Sequence, residues 1–426
     1  MGPGARLGVR QALPNHIVGT ITSCPCCVFA VLHPRVIRVR WLGKPSLTAF
    51  APAAPPSSVE RVAVAPLLPR APRPLSSARR ALAPVALLTT GALLLTGCST
   101  GTAGGESGSG STAAAGATGE FPRTVQHEFG ETTIEEAPER VATVSWVNHD
   151  VATALGVVPV GVPALDFGAN ENGSTDWFDA ALEESGAEAP ETYSETDGIN
   201  FEAIAALEPD VILGAYSGLT QEDYDKLSEI APVVAYPEDA VAYGTSWQDS
   251  TELIGQALGR EEQAAEVVAD VEQQIADAAA EYPELEGTSF VYGTLDPSAA
   301  DQIFAYTAVD NRPKFLQSLG MVQSEAVEEA AAGKEDEFYI TWSPERADQL
   351  TSDVFVSWAE DEGVREAIEN DPLLSRVPAV ADGALVLQSD QQEVLSVSAA
   401  SPLSIPWALE NVLPDIAEAA ASADGQ

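Results

Sequence analysis

The chain has 426 residues, with 64 acidic and 21 basic side chains and a formal net charge of −43 at pH 7. Residues 1–98 hold 11 of the basic residues and a single acid, Glu60, which leaves 10 basic and 63 acidic side chains, a net of −53, for residues 99–426. Cations this few and scattered exclude a surface that follows nucleic-acid phosphates. An apolar content of 45% excludes a wholly disordered chain. We therefore expect two or three globular domains after a basic head.

A secretory signal peptide is the most specific local pattern, at residues 73–98. Arg73, Arg79 and Arg80 form a positive n-region, and the sixteen residues 81–96 carry no charge. An apolar run of this length is short for a membrane span and suits a secretory signal. The segment ends in the sequence LTGC, which resembles the lipobox of bacterial lipoproteins. This implies lipidation of Cys98 and a lipid-anchored protein on the extracytoplasmic face of the cell membrane.

The segments around the signal peptide differ in character. We expect residues 1–72 to be an upstream extension, because a signal peptide does not need them. A translation start at a non-Met codon, near Val62, Leu68 or Leu75, would explain the extension. Residues 99–120 are almost all Gly, Ser, Ala and Thr, which predicts a flexible linker.

Metal ligands are scarce after the signal peptide. No cysteine follows Cys98, and only His127 and His149 remain. Their spacing relative to carboxylates is not typical of a zinc site, so we predict no metal site. His149 precedes Asp150 at a predicted helix start, where we expect it to face solvent; a position lining the ligand cleft is the alternative.

Short β-rich runs alternate with helical stretches from Arg140 onward, which predicts α/β layers with parallel sheets. A single apolar face with spacings of three and four residues runs from Ala264 to Tyr282. It lies between Glu261 and Pro283 and predicts one continuous helix of roughly 30 Å. Eight strands are predicted: Val141–Ser145, Val158–Val162, Asp210–Gly214, Pro232–Ala235, Thr288–Gly293, Gln302–Ala305, Asp353–Ser357 and Ala384–Gln388.

An internal repeat flanks that helix. NFEAIAALEPDVIL, from Asn200, and SPERADQLTSDVFV, from Ser343, share a Glu, a Leu five residues later, an Asp three further on and then a Val. Each copy predicts a helix that leads into a strand, with Asn200 and Ser343 as helix N-caps. The expected order is a first lobe at 121–245, a hinge and connecting helix at 246–284, a second lobe with a terminal helix at 285–420, and a tail at 421–426.

Two lobes, one connecting helix, a lipobox and the paired motifs resemble the iron-siderophore and cobalamin class of substrate-binding proteins for ABC importers. Residues 139–162, 245–264 and 310–321 also match, and the resemblance covers about residues 125–420. It implies the class III periplasmic-binding-protein fold, two Rossmann-like lobes joined by one long α-helix, with a cleft that moves little. It further implies a monomer that captures a ferric siderophore and delivers it to the importer's membrane subunits, with no cofactor besides the lipid.

Ligand contacts are expected at the carboxyl ends of the strands, where ligands of open α/β sheets sit. Any one aromatic residue there is more often part of the core, but the set suits a bulky, partly apolar ligand. Arg312 is the best single anchor for an anion, and Gln388 is a further candidate. The predicted contacts are Trp146, Asn148, Tyr216, Tyr243, Trp247, Tyr292, Tyr306, Arg312, Trp342 and Trp358.

The charge balance bears on the ligand. Ferric catecholates are strongly anionic and need several cations, whereas near-neutral ferric hydroxamates can be held by aromatic faces, so ten basic residues favour a hydroxamate. Cobalamin or haem in the same fold remains an alternative. Bare Fe(III) is disfavoured, because only His149 and scattered tyrosines could bind it. A secreted hydrolase is the alternative of another class, but the chain lacks a Gly-x-Ser-x-Gly motif, so we expect no enzyme.

Two glutamates are candidates for contact with the importer. Glu202 and Glu345 occupy the same place in the two copies of the repeat. An acid in the first turn of a helix stabilises that helix without any partner. The resemblance implies a different role, in which one such Glu per lobe docks on arginines of the importer's membrane subunits.

Overall fold

The computed structural model describes residues 119–299, 301–334, 336–361 and 363–424. The upstream extension, the signal peptide, Cys98 and most of the predicted linker lie outside these residues. Within the described ranges, no helix is both long enough and apolar enough to cross a membrane.

The first lobe is built on a fully parallel five-stranded sheet in the order β5-β4-β3-β6-β7, preceded by an antiparallel hairpin of β1 and β2. Helices cover both faces, and the short strands are buried, as expected for a parallel sheet. The strands are β1 Arg123–His127, β2 Gly130–Ile134, β3 Val141–Thr143, β4 Gly161–Pro163, β5 Glu191–Tyr193, β6 Val211–Leu213 and β7 Val233–Val234. The helices are α1 Asn148–Ala154, α2 Asp176–Ser185, α3 Phe201–Ala206 and α4 Gln221–Ser228.

The second lobe has a mixed sheet in the order β11-β9-β8-β12-β13, with β10 paired to β8. Strands β8, β12 and β13 are parallel, whereas β9 runs antiparallel to β8 and β11 antiparallel to β9. The strands are β8 Ser289–Thr294, β9 Ile303–Tyr306, β10 Val322–Gln323, β11 Tyr339–Trp342, β12 Val354–Trp358 and β13 Leu385–Gln388. The α-helices are α7 Asn311–Ser318, α8 Glu325–Ala331, α9 Gly363–Asn370, α10 Pro378–Ala381, α11 Gln391–Ser398, α12 Ser404–Asn411 and α13 Leu413–Asp424.

Two helices join the lobes, α5 (Trp247–Leu258) and the long α6 (Glu261–Glu281). The buried face of α6 consists of Ala264, Val268, Val271 and Ile275, which are the predicted positions. Ala264 packs into an apolar cluster of the first lobe, and the other three pack into the main cluster of the second lobe. The connecting helix is therefore attached to both cores.

The C-terminal helices give the lobes a second connection. The Asp150 carboxylate in α1 accepts hydrogen bonds from the Trp177 indole at 2.8 Å and from the Ser401 hydroxyl, just before α12, at 2.7 Å. The rings of Trp177 in α2 and Trp407 in α12 lie 5.4 Å apart. A buried polar contact and an aromatic contact thus brace the two lobes against relative movement.

The internal repeat has a structural cause that its sequence did not reveal. The Asp210 carboxylate accepts backbone N–H groups of Glu139 and Arg140, at the entry to β3. The Asp353 carboxylate likewise accepts the backbone N–H of Ser289, the first residue of β8, at 2.8 Å. In each copy the shared Asp fastens a strand entrance to the neighbouring strand.

The two copies differ at their helix starts. The Asn200 side chain caps α3 by accepting the N–H of Ala203 at 3.1 Å, as predicted. In the second copy, residues Pro344–Gln349 form a 3₁₀ helix with a non-helical Arg346, and Ser343 makes no side-chain cap. The predicted helix is therefore present as a 3₁₀ helix, whereas the prediction that Ser343 caps it is wrong.

Candidate functional site

A strained turn after β3 presents Trp146. The residues on either side of it have φ values of 62° and 57°, in the left-handed region that side-chain-bearing residues rarely adopt, and the Trp146 side chain is 47% exposed. The Asn148 amide is buried and lies within 2.9 Å of the carbonyl oxygens of Val144, Trp146 and Tyr216. Asn148 therefore holds together the loops that follow β3 and β6, and its amide is engaged by the backbone.

An aromatic pair lies next to this turn. The rings of Tyr216 and Tyr243 meet edge-on with centroids 5.9 Å apart, and Tyr243 has a φ of 60°. Gly218 lies against the Tyr243 ring, where a Cβ would overlap it. Burial raises the pKa of both tyrosines, and the Asp310 carboxylate raises the pKa of Tyr216 further. Both hydroxyls therefore stay protonated near neutral pH.

The second lobe supplies a paired arginine. Arg312 donates from Nε to Oδ1 of Asp310 and from Nη2 to Oδ2, both at 2.7 Å, and its guanidinium carbon lies 3.6 Å from the ring centroid of Tyr306. The Tyr306 ring meets Tyr292 edge-on at 6.0 Å, and the Tyr292 hydroxyl donates to the side-chain amide oxygen Oε1 of Gln388. Although burial alone would lower it, the Asp310 carboxylate raises the pKa of Arg312. Arg312 is thus charged but already neutralised.

Two contacts between the lobes connect these groups to one another. The Asn311 amide nitrogen lies 3.4 Å from the Tyr216 hydroxyl. Phe167, in the loop after β4, meets Trp358 edge-on with ring centroids 6.3 Å apart, and Trp358 pairs with Gln388 in the sheet. We call this connected set of residues the cleft ring; its members are Phe167, Tyr216, Tyr243, Tyr292, Tyr306, Asn311, Arg312, Trp358 and Gln388.

Four of the predicted residues lie outside the cleft ring: Trp146 and Asn148, at the turn after β3, and Trp247 and Trp342. Trp342 is buried among apolar side chains of the second lobe, and its indole N–H donates to the Arg346 carbonyl at 2.9 Å. Trp247 begins α5 and is buried in the main cluster of the second lobe. It also lines a cavity of about 70 Å³ together with Asn311 and Lys314.

Three residues of this region were not predicted from the sequence: Phe167, Asn311 and Glu195. The Glu195 carboxylate, in the loop after β5, accepts the Ser145 N–H at 3.0 Å through Oε2, whereas the buried Oε1 has no hydrogen-bond partner among the described residues. Burial raises the pKa of Glu195 to about 7. Phe167 follows β4, so the strand-end rule could have included it, but β5 was not recognised and Glu195 was therefore missed.

His149 is buried, so the expectation that it faces solvent is wrong. The start of α1 packs under α2, where the His149 ring meets Phe178 edge-on at 4.9 Å. Its Nε2 lies 3.4 Å from Oδ1 of Asp150. Burial lowers the pKa of His149, and Asp150 opposes this. In the part of the chain that the structure describes, no group of three His, Cys, Asp or Glu side chains is placed to hold a metal ion.

The two candidate docking glutamates are both exposed. Glu202 lies in the first turn of α3, and Glu345 in the first turn of the 3₁₀ helix Pro344–Gln349.

Comparison with known proteins gives the family. Residues 141–391 match the periplasmic binding protein family. The chain belongs to this family. Structures of similar proteins have the same two-lobed architecture, which confirms the class III fold implied by the sequence resemblance.

Individual relatives are iron-chelate binding proteins by name. The Fe(3+)-citrate-binding protein YfmC of Bacillus subtilis is 27% identical over 263 residues, 61% of this chain and 76% of that protein. The ferric enterobactin-binding periplasmic protein FepB of Escherichia coli is 28% identical over 275 residues, 61% of this chain and 82% of that protein. PiaA of Streptococcus pneumoniae, solved in complex with ferrichrome, is 34% identical with a TM-score of 0.65, covering 70% of this chain and 99% of PiaA.

Proposed function

We propose that this protein captures a ferric siderophore outside the cytoplasm and delivers it to an ABC importer. The observation that carries the proposal is the cleft ring, in which six aromatic side chains from the two lobes lie together with three polar side chains, Asn311, Arg312 and Gln388. Such a surface suits a bulky, partly apolar ligand held by a few polar anchors. The names of the relatives, for ferric citrate, ferric enterobactin and ferrichrome, support an iron chelate as that ligand.

A hydroxamate-type chelate suits the charges of the site best. Arg312 is held by both oxygens of Asp310, and Lys314 donates to the Gly244 carbonyl at 3.1 Å. A strongly anionic catecholate would have to compete with Asp310 for Arg312. A near-neutral ferric hydroxamate needs no such exchange and can lie against the tyrosine and tryptophan faces. Ferrichrome, the ligand in the PiaA structure, is a chelate of this type.

Exposure divides the candidate residues into contacts and supports. The side chains that remain at least partly exposed are available to a ligand, and the buried ones hold them in place. We assign Tyr216, Tyr292 and Asn148 to support, and Trp247 and Trp342 to the core. The proposed ligand contacts are Trp146, Tyr243, Tyr306, Arg312 and Trp358.

Anchoring and docking complete the proposal. Lipidation of Cys98 would keep the protein on the extracytoplasmic face of the membrane. The exposed Glu202 and Glu345 then offer one carboxylate on each lobe to cations of the importer's membrane subunits. Two contacts, one on each lobe, would report the arrangement of both lobes. In this role the protein acts as a monomeric binding protein and not as an enzyme.

Tryptophan fluorescence tests the proposal. The purified protein is titrated with ferrichrome, ferrioxamine B and ferric enterobactin, with the iron-free chelators as controls. We expect saturable quenching by both ferric hydroxamates and weaker binding of enterobactin. The absence of saturable binding by all three ferric chelates would refute the assignment, and tighter binding of enterobactin would refute the hydroxamate preference.

A further inference from the structure

The loop between β4 and α2 reaches from the first lobe to the second. We call this loop, residues 164–175, the strap. Asn170 organises it: its side-chain oxygen accepts the N–H groups of Asn172 and Ser174, and its amide nitrogen donates to Asp179 at 2.9 Å. Side-chain hydrogen bonds of this kind define a turn. The strap is therefore an ordered element.

The strap and the start of α2 are tied to the start of α11. The Gly168 N–H donates to Oε1 of Gln391 at 3.1 Å. The Asp176 N–H donates to Oε1 of Gln392 at 2.8 Å, and the Gln392 amide returns a bond to the Asp176 carboxylate at 3.2 Å. Gly168 has a φ of 72°, and a Cβ there would lie 3.0 Å from Leu395. Only a glycine fits this approach without strain.

These ties fix Phe167, the residue before Gly168, opposite Trp358 of the second lobe. On the other side, the Thr196 hydroxyl donates to the Asp166 carboxylate at 2.7 Å. Thr196 follows Glu195, whose carboxylate accepts the N–H of Ser145 beside Trp146. The strap thus connects the aromatic residue at the end of β12 with the exposed Trp146 of the first lobe.

The position of Phe167 is that of a ligand wall. The strap follows the carboxyl end of β4, and ligands of open α/β sheets sit at such ends. Phe167 and Trp358 are both only partly buried, so apolar surface of each ring remains open to a ligand. Hydrogen bonds at Gly168 and at the Asp166 carboxylate keep the ring from moving freely.

We propose that Phe167 is a specificity-determining residue, whose ring packs against the organic framework of the ferric hydroxamate and limits the bulk accepted beside Trp358. This inference rests on the proposed function. An aromatic ring held rigidly by its neighbours discriminates by shape, because a chelate that fits it gains contact area and one that does not must displace the strap. Loss of the ring changes the ranking of chelates as well as their affinity.

The test compares two ferric hydroxamates of different shape, the cyclic ferrichrome and the linear ferrioxamine B, by isothermal titration calorimetry on the full protein. For Phe167→Ala we expect about 5- to 30-fold weaker binding of the better-fitting chelate and a changed ratio of the two dissociation constants. Phe167→Leu, which keeps apolar bulk, restores part of the loss and serves if the alanine variant folds poorly.

Two further variants separate the effect of losing the Phe167 ring from the effect of loosening the strap. Gln391→Ala unties the strap but keeps both rings, so we expect it to weaken both chelates by a similar factor. Phe201→Ala is the matched control, because Phe201 is another partly buried phenylalanine of the first lobe that lies on α3 beside Lys226; both constants should stay unchanged.

Unchanged constants in Phe167→Ala, or an equal shift for both chelates as in Gln391→Ala, would overturn the specificity role while leaving the proposed function intact. Failure of the unmodified protein to bind either chelate would instead overturn the proposed function, and with it this inference.

Discussion

The Glu195 carboxylate makes the stability of the fold depend on pH. Its pKa is raised by burial to about 7 from the ordinary 4.5, while the hydrogen bond from Ser145 opposes the rise. The folded protein therefore holds this proton more tightly than the unfolded chain does. The protonated Glu195 side chain contributes to the free energy of unfolding in full below pH 4.5. This contribution is lost as the pH rises through about 7.

Glu195→Gln removes the titration and keeps a side-chain oxygen for the Ser145 N–H. The difference between the two pKa values corresponds to about 3 kcal/mol. We expect the variant to be more stable than the unmodified protein by about 2–3 kcal/mol at pH 8, and the advantage to disappear towards pH 4.5. Burial lowers the pKa of His127 and His149, which acts in the opposite sense, but these groups are common to both proteins and cancel in the difference.

Urea unfolding followed by tryptophan fluorescence at pH 5, 6, 7 and 8 measures this difference. Glu202→Gln is the control, because its carboxylate is exposed and its difference from the unmodified protein should stay flat. A pH-independent difference for Glu195→Gln, or a variant less stable at pH 8, would refute the reasoning.

Four other changes have definite expected outcomes. Trp146→Ala should weaken ferrichrome binding by about 1–3 kcal/mol with little change in melting temperature, since the side chain is 47% exposed; calorimetry showing full affinity would remove it from the site. Cys98→Ser should prevent lipid labelling and release the protein from membranes, and unchanged membrane partition would contradict the anchor. Reversing Glu202 and Glu345 together to Lys should leave ferrichrome affinity intact but sharply reduce uptake of ⁵⁵Fe-ferrichrome by cells, and normal uptake would leave these acids only a role at their helix starts. Added NaCl should raise the melting temperature, because salt screens the repulsion within the net charge of −53 that residues 99–426 carry; a decrease would contradict this.

The elements with a strong apolar period could be predicted from the sequence. The buried face of α6 matches the predicted spacing from Ala264 to Ile275. All eight predicted strands are present, with ends displaced by up to three residues. The strands that were missed are edge strands, a separate hairpin and a two-residue strand; β5 and β11, for example, alternate or carry exposed residues and give little apolar signal. The antiparallel direction of β9 and β11 depends on tertiary pairing, which local sequence does not encode.

The residues of the site could be predicted only in part. The end of a strand fixes which edge of the sheet a residue occupies, but not the face to which its side chain points. Trp342 shares the buried face of β11 with Ile340, whereas Tyr339 and Thr341 alternate with them on the exposed face. This two-residue period would have assigned Trp342 to the core, had β11 been recognised. The pairing of Arg312 with Asp310 depends on the helix start that brings them together, which the sequence alone did not specify.

The central claim is that the cleft ring, together with Trp146, holds a ferric hydroxamate. A crystal structure of the protein with ferrichrome tests this most directly. We predict that the chelate contacts Trp146 and Tyr243 of the first lobe and Tyr306 and Trp358 of the second, with the bidentate pairing of Arg312 and Asp310 retained. Ferrichrome bound elsewhere, or bound only by displacing Asp310 from Arg312, would contradict the account.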